Sequence, residues 1–273
     1  MRVVTLVENT KERDELGRQH GLSFYIETQE HKILFDLGQD ELFLENAKKL
    51  DIDITAVDTV VISHGHYDHG GGLKAFLAKN HTAKIYVKEQ AFESYYSLKL
   101  GVHVPIGLSK SLEKHPQINR VGERYGIDEE LQLFSEIKGR RFFSSSNQNL
   151  MMKCGGRYVP DAFSHEQALV ITENGKHVLF AGCAHNGIVN ILDKAEEILK
   201  VPVDVAIGGM HLYSPGSNHY ESDETIRGIA ENLRSRGGMY YTCHCTGQKA
   251  YELLKKDMTE HIAYLATGSE IML

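Results

Sequence analysis

Short apolar blocks separated by polar turns run through the chain, and their spacing predicts alternating strands and helices. Residues 2–7 alternate as a strand, 11–15 form a charged loop, and 22–27 and 31–36 are two β-rich runs joined by a polar turn, which predicts a hairpin. Residues 41–50 recur with the period of an amphipathic helix, 58–62 are apolar and β-branched as in a buried strand, 73–78 return to helical spacing, and 83–87 form another strand. Periodicity loosens over 89–149. It returns with two strands, 168–172 and 177–182, around Asn174-Gly175, a strong hairpin turn. Three strand-to-helix units then follow: residues 177–182 lead to a helix at 188–199, 203–209 to a helix at 223–236, and 239–242 to a helix at 248–256. This is an α/β (α+β) pattern over one domain, 1–273, with 89–149 expected as a lid-like insertion because it lacks apolar residues for its own core.

The polar residues placed at strand ends carry the chemistry. Between the strand at 58–62 and the helix at 73–78 stands Ser63-His64-Gly65-His66-Tyr67-Asp68-His69-Gly70-Gly71-Gly72. Three imidazoles and one carboxylate within six residues serve neither core nor strand, but they are donor types that Zn²⁺, Fe or Mn²⁺ selects. Later strand ends deliver Cys183 and His185, then His211, then His244. In layered α/β proteins ligands gather outside strand ends, so residues far apart in sequence can converge. Asp36, which ends the strand before 41–50, reads equally as a helix cap or as support for the site. In such a turn His64 and His66 can face one ion, Asp68 and His69 a second. A divalent ion lowers the pKa of bound water to about 7, and a second can stabilise a leaving oxygen.

Composition narrows the function. Hydrophobic residues at 41% and charged residues at 25% describe an ordinary globular protein, while a net charge of −7 without a basic run argues against a nucleic-acid footprint. No signal peptide or apolar stretch of membrane-spanning length is legible, so a cytoplasmic protein with no membrane partner is expected. Four cysteines, two of them flanking His244, are too few for a disulfide scaffold and read as reduced thiols. If its strand persists, Cys243 and Cys245 point away from His244 and pack. His165, which no strand end presents, reads as a surface or hinge residue, and His103, His115, His219 and His261 lie in polar or irregular contexts.

The run from Ser63 to Gly71 resembles the signature of the metallo-β-lactamase fold superfamily, and the repeated strand-then-histidine pattern extends that resemblance over nearly the whole chain. His20-Gly21-Leu22-Ser23, Glu166-Gln167-Ala168-Leu169, Gly182-Cys183-Ala184-His185-Asn186-Gly187-Ile188, Gly208-Gly209-Met210-His211-Leu212 and Cys243-His244-Cys245-Thr246-Gly247 are similar to a branch containing dihydropteroate-synthase-like enzymes of the methanopterin pathway. The resemblance implies a four-layer αββα sandwich holding one or two divalent ions, zinc first, with Mn²⁺ or Fe as alternatives. His64, His66 and His185 would hold one ion; Asp68, His69 and His244 would hold the other, with Asp68 also orienting the attacking water. Where the superfamily commonly has a bridging Asp, this chain has Cys183, which can supply a thiolate, pack, or leave a single tightly held ion. His211 is assigned to substrate contact or to structure. The implied activity is a metal-dependent hydrolase or group-transfer enzyme acting on a phosphate- or ester-containing small molecule, such as a pterin diphosphate. The alternatives are a di-iron redox protein of flavodiiron type and a noncatalytic metal-binding module. The oligomeric state is not legible.

Overall fold

A computed structural model describes residues 1–273. The chain divides into two compact units, one of Met1–Ser94, Ile106–Gly122 and Leu265–Leu273, the other of Tyr95–Pro105 and Glu123–Tyr264.

In the first unit, seven strands form one mixed sheet in the order Glu270–Met272, Arg2–Val7, Ser23–Glu27, Lys32–Phe35, Thr59–Ile62, Lys84–Lys88, Ile118–Val121. The expected hairpin is present, with Phe24 opposite Phe35 and Glu27 opposite Lys32. Pairing turns parallel between Lys32–Phe35 and Thr59–Ile62 and stays parallel to the edge at Ile118–Val121. Two neighbouring parallel strands therefore end side by side, at Asp36 and Ser63. The helix Leu42–Lys49 buries Phe43, Asn46 and Ala47 against this sheet. Its Asn46 side chain donates to the carbonyls of Leu6 (2.7 Å) and Gly17 (2.8 Å), so a polar residue on the buried face is satisfied. The helix starts after Glu41, which removes the reading of Asp36 as its cap.

The second unit carries another seven-stranded sheet, ordered Ile262–Tyr264, Met239–Thr242, Val205–Gly208, Lys176–Phe180, Gln167–Glu173, Leu131–Ser135, Arg124–Gly126. The four strands from Ile262–Tyr264 to Lys176–Phe180 are parallel. Asn174 and Gly175 take φ values of 52° and 76° in the antiparallel hairpin turn, as the sequence predicts. Helices Ile188–Leu199, Asp223–Arg236 and Gln248–Met258 bury their apolar stripes in a core with Leu179, Ala206 and Tyr240. Ser222 starts the second of these by accepting from the Thr225 amide at 3.1 Å, and acidic and basic residues sit at the ends that the helix dipole favours.

Residues 89–149 are not set apart from the sheets. They supply Ile118–Val121 to the first, Arg124–Gly126 and Leu131–Ser135 to the second, and Tyr95–Lys99 with Val102–Pro105 to a smaller sheet completed by Leu150–Cys154 and Arg157–Pro160. The strands are short and their partners distant in sequence, so local periodicity is weak although the pairing is regular. No helix is long and apolar enough to cross a membrane.

Tyr240 offers a test of the second core. Its hydroxyl shares its one proton between the carbonyls of Leu233 (3.1 Å) and Gly237 (2.9 Å), and burial pushes the phenol up to about 12. Tyr240→Phe should cost about 1–2 kcal/mol at neutral pH through these lost bonds. A raised folded pKa contributes stability that is complete below the unfolded value near 10 and is lost as pH climbs toward about 12. The difference between wild type and Tyr240→Phe in urea unfolding should therefore narrow above about pH 10.

Candidate metal centre

In the first unit the ligand-type residues occupy the turn after Thr59–Ile62. His66 is extended, then Tyr67–Gly70 wind into one short helical turn. Amides pin the turn to its surroundings: Tyr67 donates to the Ile106 carbonyl (2.8 Å), Leu22 to that of Asp68 (3.1 Å) and Leu37 to that of His69 (2.7 Å). Gly71 lies so close to the carbonyls of Gln39 and Tyr67 that a Cβ would collide with backbone, which explains part of the glycine run. Within this frame the His64 ring is 4.6 Å from that of His66 and 4.1 Å from that of His69, and Asp68 Oδ2 is 3.8 Å from His69 Nε2. All four side chains are buried.

Behind them lies a fully buried relay centred on Asp36. Its carboxylate accepts from the Ser63 amide (2.7 Å), the Ser63 hydroxyl (2.7 Å) and His69 Nδ1 (2.6 Å). Because the Ser63 hydroxyl gives its proton to Asp36, its oxygen accepts from His64 Nδ1 at 2.9 Å. Both imidazoles are thereby protonated at Nδ1, which leaves Nε2 of His64 and His69 as lone-pair donors. This is the arrangement in which histidines ligate a metal ion. Asp36 thus fixes Ser63 and the His69 ring in place.

The second unit gathers its own set at the ends of parallel strands. His185, buried to 1% exposure, is fixed on three sides. Its Nδ1 meets Asn147 Oδ1 at 2.9 Å, while the amide of Asn147 donates to the His185 carbonyl at 2.8 Å; the oxygen so oriented requires a protonated Nδ1 and leaves Nε2 as an acceptor. Phe163 stacks on the ring at 4.5 Å with an interplanar angle of 3°. Glu166, fully buried, accepts from the amides of His185 (2.6 Å) and Asn186 (3.0 Å) and from the Asn186 side chain (2.8 Å). Burial nonetheless pushes its carboxyl above the usual range. The His211 ring packs 4.1 Å from that of His185. His244 opens the 3-10 turn His244–Thr246, and Cys183 is buried at the head of the loop that ends in His185. Ala184, His211 and His244 have φ of 54°, 47° and 51°, and Asp36 has 61°, so non-glycine residues in the left-handed region mark each of these turns.

The sequence pattern of the Metallo-beta-lactamase superfamily matches residues 16–231. The chain belongs to the metallo-beta-lactamase superfamily. An uncharacterized protein of Methanocaldococcus jannaschii is 28% identical over 97% of this chain and 98% of its own length. The 7,8-dihydropterin-6-methyl-4-(beta-D-ribofuranosyl)-aminobenzene-5'-phosphate synthase of the same organism is 29% identical over 93% of this chain and 90% of its own. The crystal structure of a metal-dependent hydrolase of the beta-lactamase superfamily superposes with a TM-score of 0.83 at 26% identity, covering 100% of this chain and 99% of that one. The expected family and fold class are correct, and buried clusters of His, Asp and Cys suited to a divalent ion are present in the metallo-beta-lactamase frame.

Several side chains play parts that sequence reading did not give them. His20 Nε2 is 3.2 Å from Asp68 Oδ2 and partly exposed, so it gives the carboxylate a partner facing solvent. His165 is neither surface nor hinge: it is wholly buried, paired through Nε2 with Asp161 Oδ2 at 3.1 Å and packed 3.9 Å from the Tyr95 ring. Its spacing from Asp161, four residues earlier, was the legible signal. Asn147 lies in the stretch of weak periodicity, where nothing marks it. Cys243 and Cys245 are buried as expected, but not by strand alternation, because the strand stops at Thr242 and a 3-10 turn begins at His244.

Asp36→Asn tests the relay. The amide nitrogen would donate to His69 Nδ1, move the ring proton to Nε2 and block that donor. Metal affinity, measured by competition with a chromophoric chelator, should fall about 10- to 100-fold while the circular dichroism spectrum stays that of wild type. Unchanged affinity would remove the relay from metal binding.

Proposed function

We propose that this chain is a metal-dependent enzyme that cleaves or transfers a group on a phosphate- or ester-containing small molecule. His64, His66, Asp68 and His69 are the ligands this reading assigns to the turn at 63–72, and His185 and His244 those it assigns to the second unit; together they would serve two divalent ions. The single observation that carries this reading is the Asp36 relay, which commits the Nε2 atoms of His64 and His69 to ligation; a solvated histidine cluster needs no such commitment. Asn147 prepares His185 in the same way. The donor set is imidazole and carboxylate, which suits Zn²⁺ first and Mn²⁺ or Fe next. When bound, such ions supply Lewis-acid polarisation and a water acidic enough to react at neutral pH.

The chain's own groups do the rest. Asp68 orients the attacking water and takes its proton, and His20, 3.2 Å away and partly open to solvent, carries that proton outward. The substrate is a small molecule rather than a nucleic acid, in keeping with the net charge of −7, and the enzyme works in the cytoplasm. Similarity to a synthase whose name specifies a dihydropterin-methyl group joined to a ribofuranosyl-aminobenzene 5'-phosphate supports a pterin-containing small molecule as the substrate class, with transfer to an arylamine as the reaction form.

Purified protein should turn over either a model phosphodiester or a pterin diphosphate supplied with an arylamine. Chelator-stripped protein should lose that turnover and Zn²⁺, Mn²⁺ or Fe²⁺ should restore it. His66→Ala should lower kcat/KM by about 100-fold or more, as expected when an ion that stabilises the transition state loses a ligand. Full turnover by stripped protein or by His66→Ala would end the metal-enzyme reading, and the substrate that responds decides between hydrolysis and transfer.

A further inference from the structure

We propose that Glu221 is a positioning residue for the histidine pair of the second unit: it holds in place the turn that orients the His185 ring and the loop that carries His211, although it touches neither ring.

Glu221 is a buried carboxylate that the chemistry proposed above leaves unused. It stands just before Ser222, the residue that caps the helix Asp223–Arg236, and one of its oxygens accepts from the Ser222 amide at 2.8 Å. A carboxylate that only helped to start a helix would need no more. The other oxygen instead meets a segment remote in sequence, where it accepts from the Ser145 amide (2.6 Å) and the Ser145 hydroxyl (2.9 Å). Because that hydroxyl spends its proton on Glu221, its oxygen accepts from His219 Nε2 at 2.8 Å. Burial opposes ionisation of Glu221, but the bonds from Ser222 and Ser145 outweigh it and hold the carboxyl below the usual carboxylate range, so at neutral pH it only accepts.

These bonds close a ring. Ser144, beside Ser145, donates its hydroxyl to the His211 carbonyl at 2.6 Å, and Leu212, beside His211, accepts from the Glu221 amide at 2.9 Å. Three segments far apart in the chain are thereby tied together through residues 144–145, 211–212 and 221. His211 belongs to the ring by its carbonyl, at the left-handed φ of 47° that its surroundings must sustain. His185 is reached through Asn147. The Ser146 amide donates to Ser144 Oγ (3.1 Å) and the Asn147 amide to the Ser144 carbonyl (3.2 Å), so with Ser144 and Ser145 anchored the short turn Ser145–Asn149 has little freedom. Asn147 then presents its oxygen to His185 Nδ1 and its nitrogen to the His185 carbonyl. A turn that slips lets the two ends of that amide exchange places, and the ring tautomer changes with them. For metal binding this role rests on the ligand assignment proposed above; for the His185 tautomer it rests on hydrogen bonds alone.

The test uses the full chain, metal-free, with isotope-labelled histidine nitrogens. Long-range proton–nitrogen NMR spectra, with the His185 signals identified by their loss in His185→Gln, should show one His185 tautomer in the wild type, protonated at Nδ1, and a mixture in Glu221→Gln. The amide of that variant turns an N–H group toward the Ser145 or the Ser222 amide whichever way it lies, so one donor loses its acceptor. Ser145→Ala, which removes a single hydroxyl, should move the spectrum in the same direction and serves if Glu221→Gln does not fold. Zinc affinity, read by chelator competition, should fall about 10-fold in Glu221→Gln and in Asn147→Ala. The double variant should bind no more weakly than Asn147→Ala alone, because one residue acts through the other, whereas a residue that only stabilised the fold would add its own loss. A single His185 tautomer in both variants, or additive losses of affinity, would overturn the role of Glu221. A wild type that takes up no zinc would remove the ligand assignment and leave the tautomer to decide.

Discussion

A single buried carboxylate, Asp36, holds the histidine turn in order. A fully desolvated acid is costly unless it is well hydrogen-bonded, and here an amide, a hydroxyl and an imidazole all donate to it. The three donors come from residues 63 and 69, so the carboxylate joins the end of one parallel strand to the turn after its neighbour. Removing its charge would leave Ser63 and His69 reaching into a dry space, and the tautomers of His64 and His69 would no longer be fixed. Sheet register, turn conformation and ring protonation are therefore one problem with one solution.

The second unit fixes its histidine ring with uncharged partners and its backbone with a carboxyl group. Asn147 reads His185 through one amide group that both donates and accepts, Phe163 fixes the ring plane, and Glu166 holds the backbone of residues 185 and 186. None of these side chains is of a type usually counted as a metal ligand except Glu166, and that one is spent on amides. The ligand-type residues are a small part of what makes the centre; most of the surrounding hydrogen bonding sets their orientation.

Much of this was legible in the sequence where the signal was local. The helices at 188–199 and 223–236 appear with the expected bounds, because apolar periodicity is sustained over both and Ser222 caps the second. The turn from His64 to His69 was legible because its donors are consecutive and flanked by a strand and a glycine run. Asp36 was visible as a carboxylate at a strand end, but that the helix starts only after Glu41, and that the next strand runs parallel and ends beside it at Ser63, follows from tertiary structure. His165 and Asn147 escaped for two different reasons: a ligand-type residue not at a strand end, and an amide in a stretch of short non-local strands. Cys243 and Cys245 are buried as expected, but on a backbone whose φ changes sign where alternation was assumed. The sign of φ at a non-glycine residue is set by tertiary constraint, and no local pattern announces it.

Those left-handed residues also bear on how readily the turns accept change. Asp36, Ala184, His211 and His244 hold a conformation that costs a non-glycine residue free energy, so the packing and hydrogen bonds around each turn must offset that cost. A neighbour that touches none of the ligand-type groups therefore still governs where they sit: loosen it, and the strained residue relaxes to negative φ and swings its side chain elsewhere.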